Sequence, residues 1–166
     1  MAFVPSIINY KPFYIQTASD SAAIDTTTWG LVAKVNPYPV LPDAKDPYKN
    51  EWHDEDGDDE YTSDMHYEAM EFSVSFFVKT FDSQTDSAVK VMRSQMAGFF
   101  DKIKNGGFKI YDSYTGLGRQ DVRYVSYKED EFKQRKNWAR LIFTVTFKAN
   151  DPITRIVLSN NKLVVE

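Results

Sequence analysis

Met70-Glu71-Phe72-Ser73-Val74-Ser75-Phe76-Phe77-Val78-Lys79 is the stretch that decides the fold class. Met70, Phe72, Val74, Phe76 and Val78 alternate with Glu71, Ser73, Ser75, Phe77 and Lys79, the period of two expected of a strand with one face in a core. The same pattern returns downstream. Ala139, Leu141, Phe143, Val145 and Phe147 alternate with Arg140, Ile142, Thr144, Thr146 and Lys148, and the run stops at Asn150-Asp151-Pro152. Two long strands with matching apolar faces predict an antiparallel β core.

Between them the period changes. Val89, Met92, Met96, Phe99 and Ile103 recur at helical spacing, Asp82 or Ser83 can cap the start, and Asn105-Gly106-Gly107 stops the run. This predicts an amphipathic helix over roughly residues 83–104. Its polar face carries Lys90, Arg93, Gln95 and Lys102, so it should lie on the core rather than pass through it. Phe108 to Asp112 and Gln120 to Lys128 read as a hairpin around a Ser113 to Gly118 turn, with a polar stretch from Glu129 to Lys136 after it. The tail, Ile153 to Val165, suits two short strands about Ser159-Asn160-Asn161.

Upstream the chain is harder to read, because Pro5, Pro12, Pro37, Pro39, Pro42 and Pro47 interrupt every apolar run. Residues 1–50 are expected to form a Pro-rich extended arm with short strands near Phe13 to Thr17 and Trp29 to Val35, the latter with Leu31, Ala33 and Val35 on one face. Asn36 to Glu68 has neither period and reads as a long loop, acidic over residues 43–68. The 166 residues suit one domain, with a strand-helix-hairpin-strand core over 68–166. The expected class is α+β: a mainly antiparallel β-sandwich or barrel, one flanking amphipathic helix and a long acidic loop.

Composition narrows the chemistry. The chain has no Cys, which excludes disulfides, thiol nucleophiles and thiolate metal sites. Twelve Phe and ten Tyr favour pleated, half-buried surfaces and protein contacts. No apolar run is long enough for a membrane helix and Met1 to Tyr14 lacks a signal-peptide pattern, so a soluble protein made in a cytoplasm is expected. Charge is uneven: Asp43 to Glu68 holds eleven Asp or Glu against two Lys, a local −9, and since the whole chain is −4 the remainder sums to +5.

Each chemical motif has a plainer reading. The run Asp54-Glu55-Asp56-Gly57-Asp58-Asp59-Glu60 suggests calcium, yet with Gly57 in the sixth place of an EF-hand loop the first place is Trp52 and the twelfth Ser63, so both end ligands fail. A solvated loop or contact arm fits better. His53 and His66 flank that loop and read as exposed residues rather than a metal pair or general base. Asn105-Gly106-Gly107 and Gly116-Leu117-Gly118-Arg119 are glycine-rich, but neither run both follows a strand and opens a helix, so they read as turn residues and not as a phosphate cradle. No nucleophile elbow or triad can be built. No catalytic residue, metal or cofactor is expected, and the chain is not expected to be an enzyme. Ten Lys or Arg against five Asp or Glu from Lys102 to Arg140, interleaved with Tyr and Trp138, could serve single-stranded nucleic acid, but the outer face of a sheet explains them equally well.

The pieces in this order resemble the bacteriophage tail proteins that share the tail-tube fold: tube subunits, distal tail proteins and terminator proteins. The resemblance is carried by the strand Met70 to Lys79, the helix to Lys104, Gly107-Phe108-Lys109-Ile110-Tyr111-Asp112, Val122-Arg123-Tyr124, and Phe143 to Pro152. The stretch Asn50-Glu51-Trp52 through Tyr61 also resembles loops in phage and prophage proteins. The resemblance implies a structural virion protein, a ring-forming and commonly hexameric tail subunit in the tube or distal adaptor. It would be found in the virion after assembly in the host cytoplasm, with other tail or neck proteins as partners and DNA only passing through its channel. A head-tail connector or terminator of the neck is the near alternative; a receptor-, glycan- or nucleic-acid-binding module is the distant one. The expected inter-subunit contacts are Trp52, Asp54, Asp56, Asp58, Asp59, Glu60 and Tyr61 in the loop, with Arg123, Arg140 and the basic helix face receiving them.

Overall fold

The computed structural model describes residues 12–34, 41–50, 52, 53 and 56–166. Its strands are β1 (Phe13–Gln16), β2 (Ile24–Asp25), β3 (Val32–Lys34), β4 (Lys49–Asn50), β5 (Asp59–Glu60), β6 (Met70–Phe81), β7 (Phe108–Asp112), β8 (Leu117–Gln134), β9 (Trp138–Asp151), β10 (Ile156–Ser159) and β11 (Lys162–Val165). One helix, α1 (Ala88–Ile103), lies between β6 and β7, and a 3-10 turn, Thr26–Trp29, joins β2 to β3. Seven strands form one sheet in the order β2-β1-β7-β8-β9-β6-β3, and all its pairings are antiparallel. The fold is α+β, mainly antiparallel, with a single flanking helix. No helix among the described residues is long and apolar enough to cross a membrane.

The centre of the sheet is the ladder the alternating stretches predict. β6 and β9 pair from Met70↔Ala149 to Phe81↔Trp138, and Met70, Phe72, Val74, Phe76 and Val78 are buried against Ala139, Leu141, Phe143, Val145 and Phe147. Thr80 takes the next inward place. Buried, it donates its hydroxyl to the Ala88 carbonyl at 2.6 Å and so ties β6 to the first turn of α1.

The sheet curls. β2 and β3 lie at its opposite edges, yet only residues 26–31 separate them in the chain. Flat, seven strands would hold those edges about 29 Å apart at ~4.8 Å per strand. Six residues, four of them in a 3-10 turn rising ~2 Å each, cannot span that distance. Phe13 on β1 and Phe76 on β6 are four places apart in the sheet, yet their ring centroids are 6.0 Å apart. The inner face is therefore rolled into an open barrel. Helix α1 packs on it through Met92, Phe99 and Ile103, with Phe99 5.1 Å from Phe76 and 5.7 Å from Trp29.

Several expectations need correction. The helix begins at Ala88, capped by Ser87, and not near residue 83. Ser83 accepts from the Asp86 N–H at 2.9 Å and so holds a turn before the helix, while Asp82 reaches across that turn to accept from the N–H of Ala88, the first helical residue. β8 runs on through the polar stretch to Gln134, because pairing with β9 continues to Gln134↔Ala139 even where apolar alternation has stopped. Gly118 is in a strand, not a turn. A Cβ there would sit 2.3 Å from the Ile156 carbonyl oxygen, so glycine lets β10 cross the sheet at close range, while Gly116 (φ 73°) makes the turn.

The first fifty residues contribute short strands where expected, β1 next to one edge of the main sheet and β3 at the other, although Trp29 falls in the 3-10 turn and the second strand starts at Val32. Leu31 and Ala33 pack on the core. Val35, the third residue assigned to that face, lies outside the described residues. The tail forms the expected hairpin, β10–β11, around Asn160 (φ 50°) and Asn161 (φ 60°). It is latched to the sheet: Leu163 donates to the Gln16 side chain at 2.7 Å and accepts from Lys109 at 3.2 Å.

Candidate interaction site

The acidic segment is a hairpin rather than an irregular loop. Ala44 bridges Tyr67 at its base, and the Glu68 N–H donates to the Asp43 carbonyl and the Lys45 N–H to the His66 carbonyl, each at 2.8 Å. Further out β4 pairs with β5, Lys49↔Glu60 and Asn50↔Asp59, and the Tyr61 N–H donates to the Tyr48 carbonyl at 2.9 Å. Nearly every side chain of these short strands faces solvent, so no apolar period exists to reveal them.

Aromatic rings stay exposed along this arm. Tyr48 is 71%, Tyr61 57% and Trp52 55% exposed, and the Tyr48 and Tyr61 rings lie 5.4 Å apart. Between the arm and the turn after β9 is an open groove of about 770 Å³, walled by Asp46, Tyr48, Tyr61, Asp64, Tyr67 and Ile153. Lys45 and His66 line it too, with His66 3.6 Å from the Asp64 carboxylate. Asp151 fixes the wall containing Pro152 and Ile153. It accepts from Gln120 of β8 at 2.7 Å and from the backbone N–H of Ile153 and Thr154. Burial acts to raise the Asp151 carboxyl, but these hydrogen bonds and that from the Thr154 side chain outweigh it and pull the pKa down to about 2.

Of the residues singled out in the sequence, the structure gathers Trp52, Asp56, Asp58, Asp59, Glu60 and Tyr61 on the outer half of the arm, all exposed. Asp54 lies outside the described residues. Asp58 pairs with Lys49 at 3.5 Å. Among the described residues no three His, Cys, Asp or Glu are grouped to hold a metal ion.

Arg123 is exposed beside Lys148 on the outer face of the sheet, as expected of a free cation. Arg140 is not. It is half-buried and donates to Glu131 at 2.8 Å, and the Glu131 carboxyl, which also takes a hydrogen bond from Lys133, is held below its usual range by these partners.

The sequence reading missed the basic turn between β8 and β9. Residues 132–137 are all exposed, and Arg135 and Lys136 have no carboxylate partner among the described residues. The turn is held in place: the Arg135 N–H donates to the Trp138 carbonyl at 2.8 Å and the Asp82 N–H to the Asn137 carbonyl at 3.0 Å. The β6–β9 register fixes where it lies. Met70, just after the arm, faces Ala149, and Phe81 faces Trp138, so arm and turn lie at opposite ends of the long strands. Eleven steps of about 3.4 Å put those ends about 37 Å apart. The molecule is polar along its strands, with an acidic, aromatic groove at one end and a tethered cationic turn at the other. No protein-family model and no curated protein matches the chain, so the meaning of that polarity rests on its chemistry.

Proposed function

We propose that this chain is a structural subunit that assembles with copies of itself, and that its setting is a bacteriophage tail, as a tube or distal adaptor protein. The observation that carries the assembly reading is the separation of charge along the strand axis, acidic aromatic arm at one end and exposed Arg135 and Lys136 at the other. Complementary surfaces at opposite ends make a heterologous contact, which produces rings or stacks instead of closed dimers. The tail setting comes from the resemblance of strand order, helix and closing motif, and would bring other tail or neck proteins as partners and the virion as location. A terminator or connector of the neck would use the same surfaces. On this reading the arm contributes contact area and steering, and no residue performs chemistry.

The test is the mass of the protein by light scattering across concentration and salt. Screening shortens from about 10 Å at 0.1 M salt to about 3 Å at 1 M, so a charge-steered assembly should form at low salt and loosen at high salt. A strict monomer throughout would overturn self-assembly. It would favour a second reading, supported by the exposed rings of Tyr48 and Tyr61 beside Asp46 and Asp64: a groove that stacks on a sugar and hydrogen-bonds its hydroxyls.

A further inference from the structure

We infer that the groove beneath the arm is the seat for the β8–β9 turn of a second copy, with Arg135 and Lys136 as the cations it takes; this rests on the assembly reading above and names its contact. The groove offers both things a desolvated cation requires. Asp46 and Asp64 supply carboxylates, and the tyrosine rings of Tyr48, Tyr61 and Tyr67 supply π faces. At about 770 Å³ it lies in the size range of clefts that hold a defined ligand, roughly 300–1,000 Å³.

The occupant is argued from charge. Among the described residues, the exposed Lys49, Lys133, Lys90 and Lys104 already face Asp58, Glu131, Asp86 and Asp101, while Lys34, Lys45, Arg93, Arg123, Lys128, Arg155 and Lys162 are exposed without a carboxylate partner but stand singly in the sequence. Arg135 and Lys136 sit side by side on an exposed turn with no such neighbour, and the Arg135 guanidinium donates to the adjacent Gln134 carbonyl at 3.3 Å. The turn is preorganised by its bonds to Trp138 and to Asp82, so docking it costs little ordering entropy. The fold already places a lysine over rings in this way: Lys79 Nζ lies 4.6 Å from the Trp138 ring centroid. Of the receivers expected from the sequence, Lys90 and Lys102 on the helix are already paired with Asp86 and Asp20, and Arg123 lies beside Lys148.

The experiment is a charge swap read by sedimentation, with a zero-length carbodiimide cross-link as a direct readout of the contact. R135E/K136E and D46K/D64K should each weaken self-association at least tenfold, and the quadruple variant carrying both should regain it. Mass spectrometry of the cross-linked wild type should join Lys136 to Asp46 or Asp64 of another copy. Y48A/Y61A, which leaves every charge in place, should weaken association through loss of the rings. If the wild type assembles and R135E/K136E assembles as tightly, or if the cross-links join the arm to Lys90 or Lys102, the tip-in-groove contact is wrong while the assembly reading stands. If the wild type is monomeric at every concentration and salt, both are wrong.

Discussion

The β6–β9 ladder and the β4–β5 arm are both antiparallel pairs, and they differ in everything that stabilises a fold. The ladder pairs twelve residues on each strand and buries alternate side chains to 5% exposure or less. The arm pairs two on each strand and leaves Tyr48 and Tyr61 more than half exposed. An isolated two-stranded pair is marginal in water. The ladder is explained by what it buries within one molecule, whereas the arm presents apolar rings and unbalanced charge that the single molecule does not use. The ladder specifies the fold, and on the proposed reading the arm serves contact with a second molecule.

That contrast can be broken or sharpened by mutation. The largest effect is expected at Phe76, whose ring meets Phe13, Phe99 and Phe143 in the middle of the core. Phe76→Ala should cost about 4 kcal/mol by urea unfolding. Gly118→Ala comes next, at about 3 kcal/mol, because its Cβ would collide with the Ile156 backbone and push the β10–β11 hairpin off the sheet. Asp151→Asn should cost about 1 kcal/mol by loosening the Pro152–Ile153 wall of the groove.

The Asp151 contribution also has a defined acid dependence. Its folded pKa, about 2, is below the ordinary 3.8, so its stabilisation is present above pH 3.8 and is lost as pH falls toward 2. Acid unfolding of the wild type and Asp151→Asn should therefore converge across that interval. Smallest of all, Tyr48→Ala should change stability by no more than about 0.5 kcal/mol while weakening self-association. A large loss of stability there would mean the arm is part of the core after all.

The ladder, helix and closing hairpin were legible in the sequence because burial of one face imposes a period on the letters. Met70 to Val78 and Ala139 to Phe147 could hardly be read otherwise. The distal half of β8 was lost because Lys128 to Gln134 gains its strand geometry from hydrogen bonds to β9, which leave no mark on composition. The helix start was misplaced because Ser83 serves a preceding turn, and Asp82 reaches the first helical N–H from six residues upstream. The acidic arm was legible as a separate charged segment. Its groove was not, since Asp46, Tyr61 and Ile153 come together only through the hairpin base and the Asp151 turn. Arg135 and Lys136 carried a signal, a basic pair beside Asn137, but only the register shows that it stands opposite the arm.

Hydrogen exchange at two protein concentrations tests the central claim most directly, because it reads the ladder and the arm in one experiment. The account predicts that β6 and β9 amides are strongly protected in dilute and concentrated protein alike, while residues 43–68 and 135–137 exchange quickly when dilute and become protected together on concentration. Protection of the arm that is strong and independent of concentration would contradict the account, for it would mean that the single molecule already satisfies the arm.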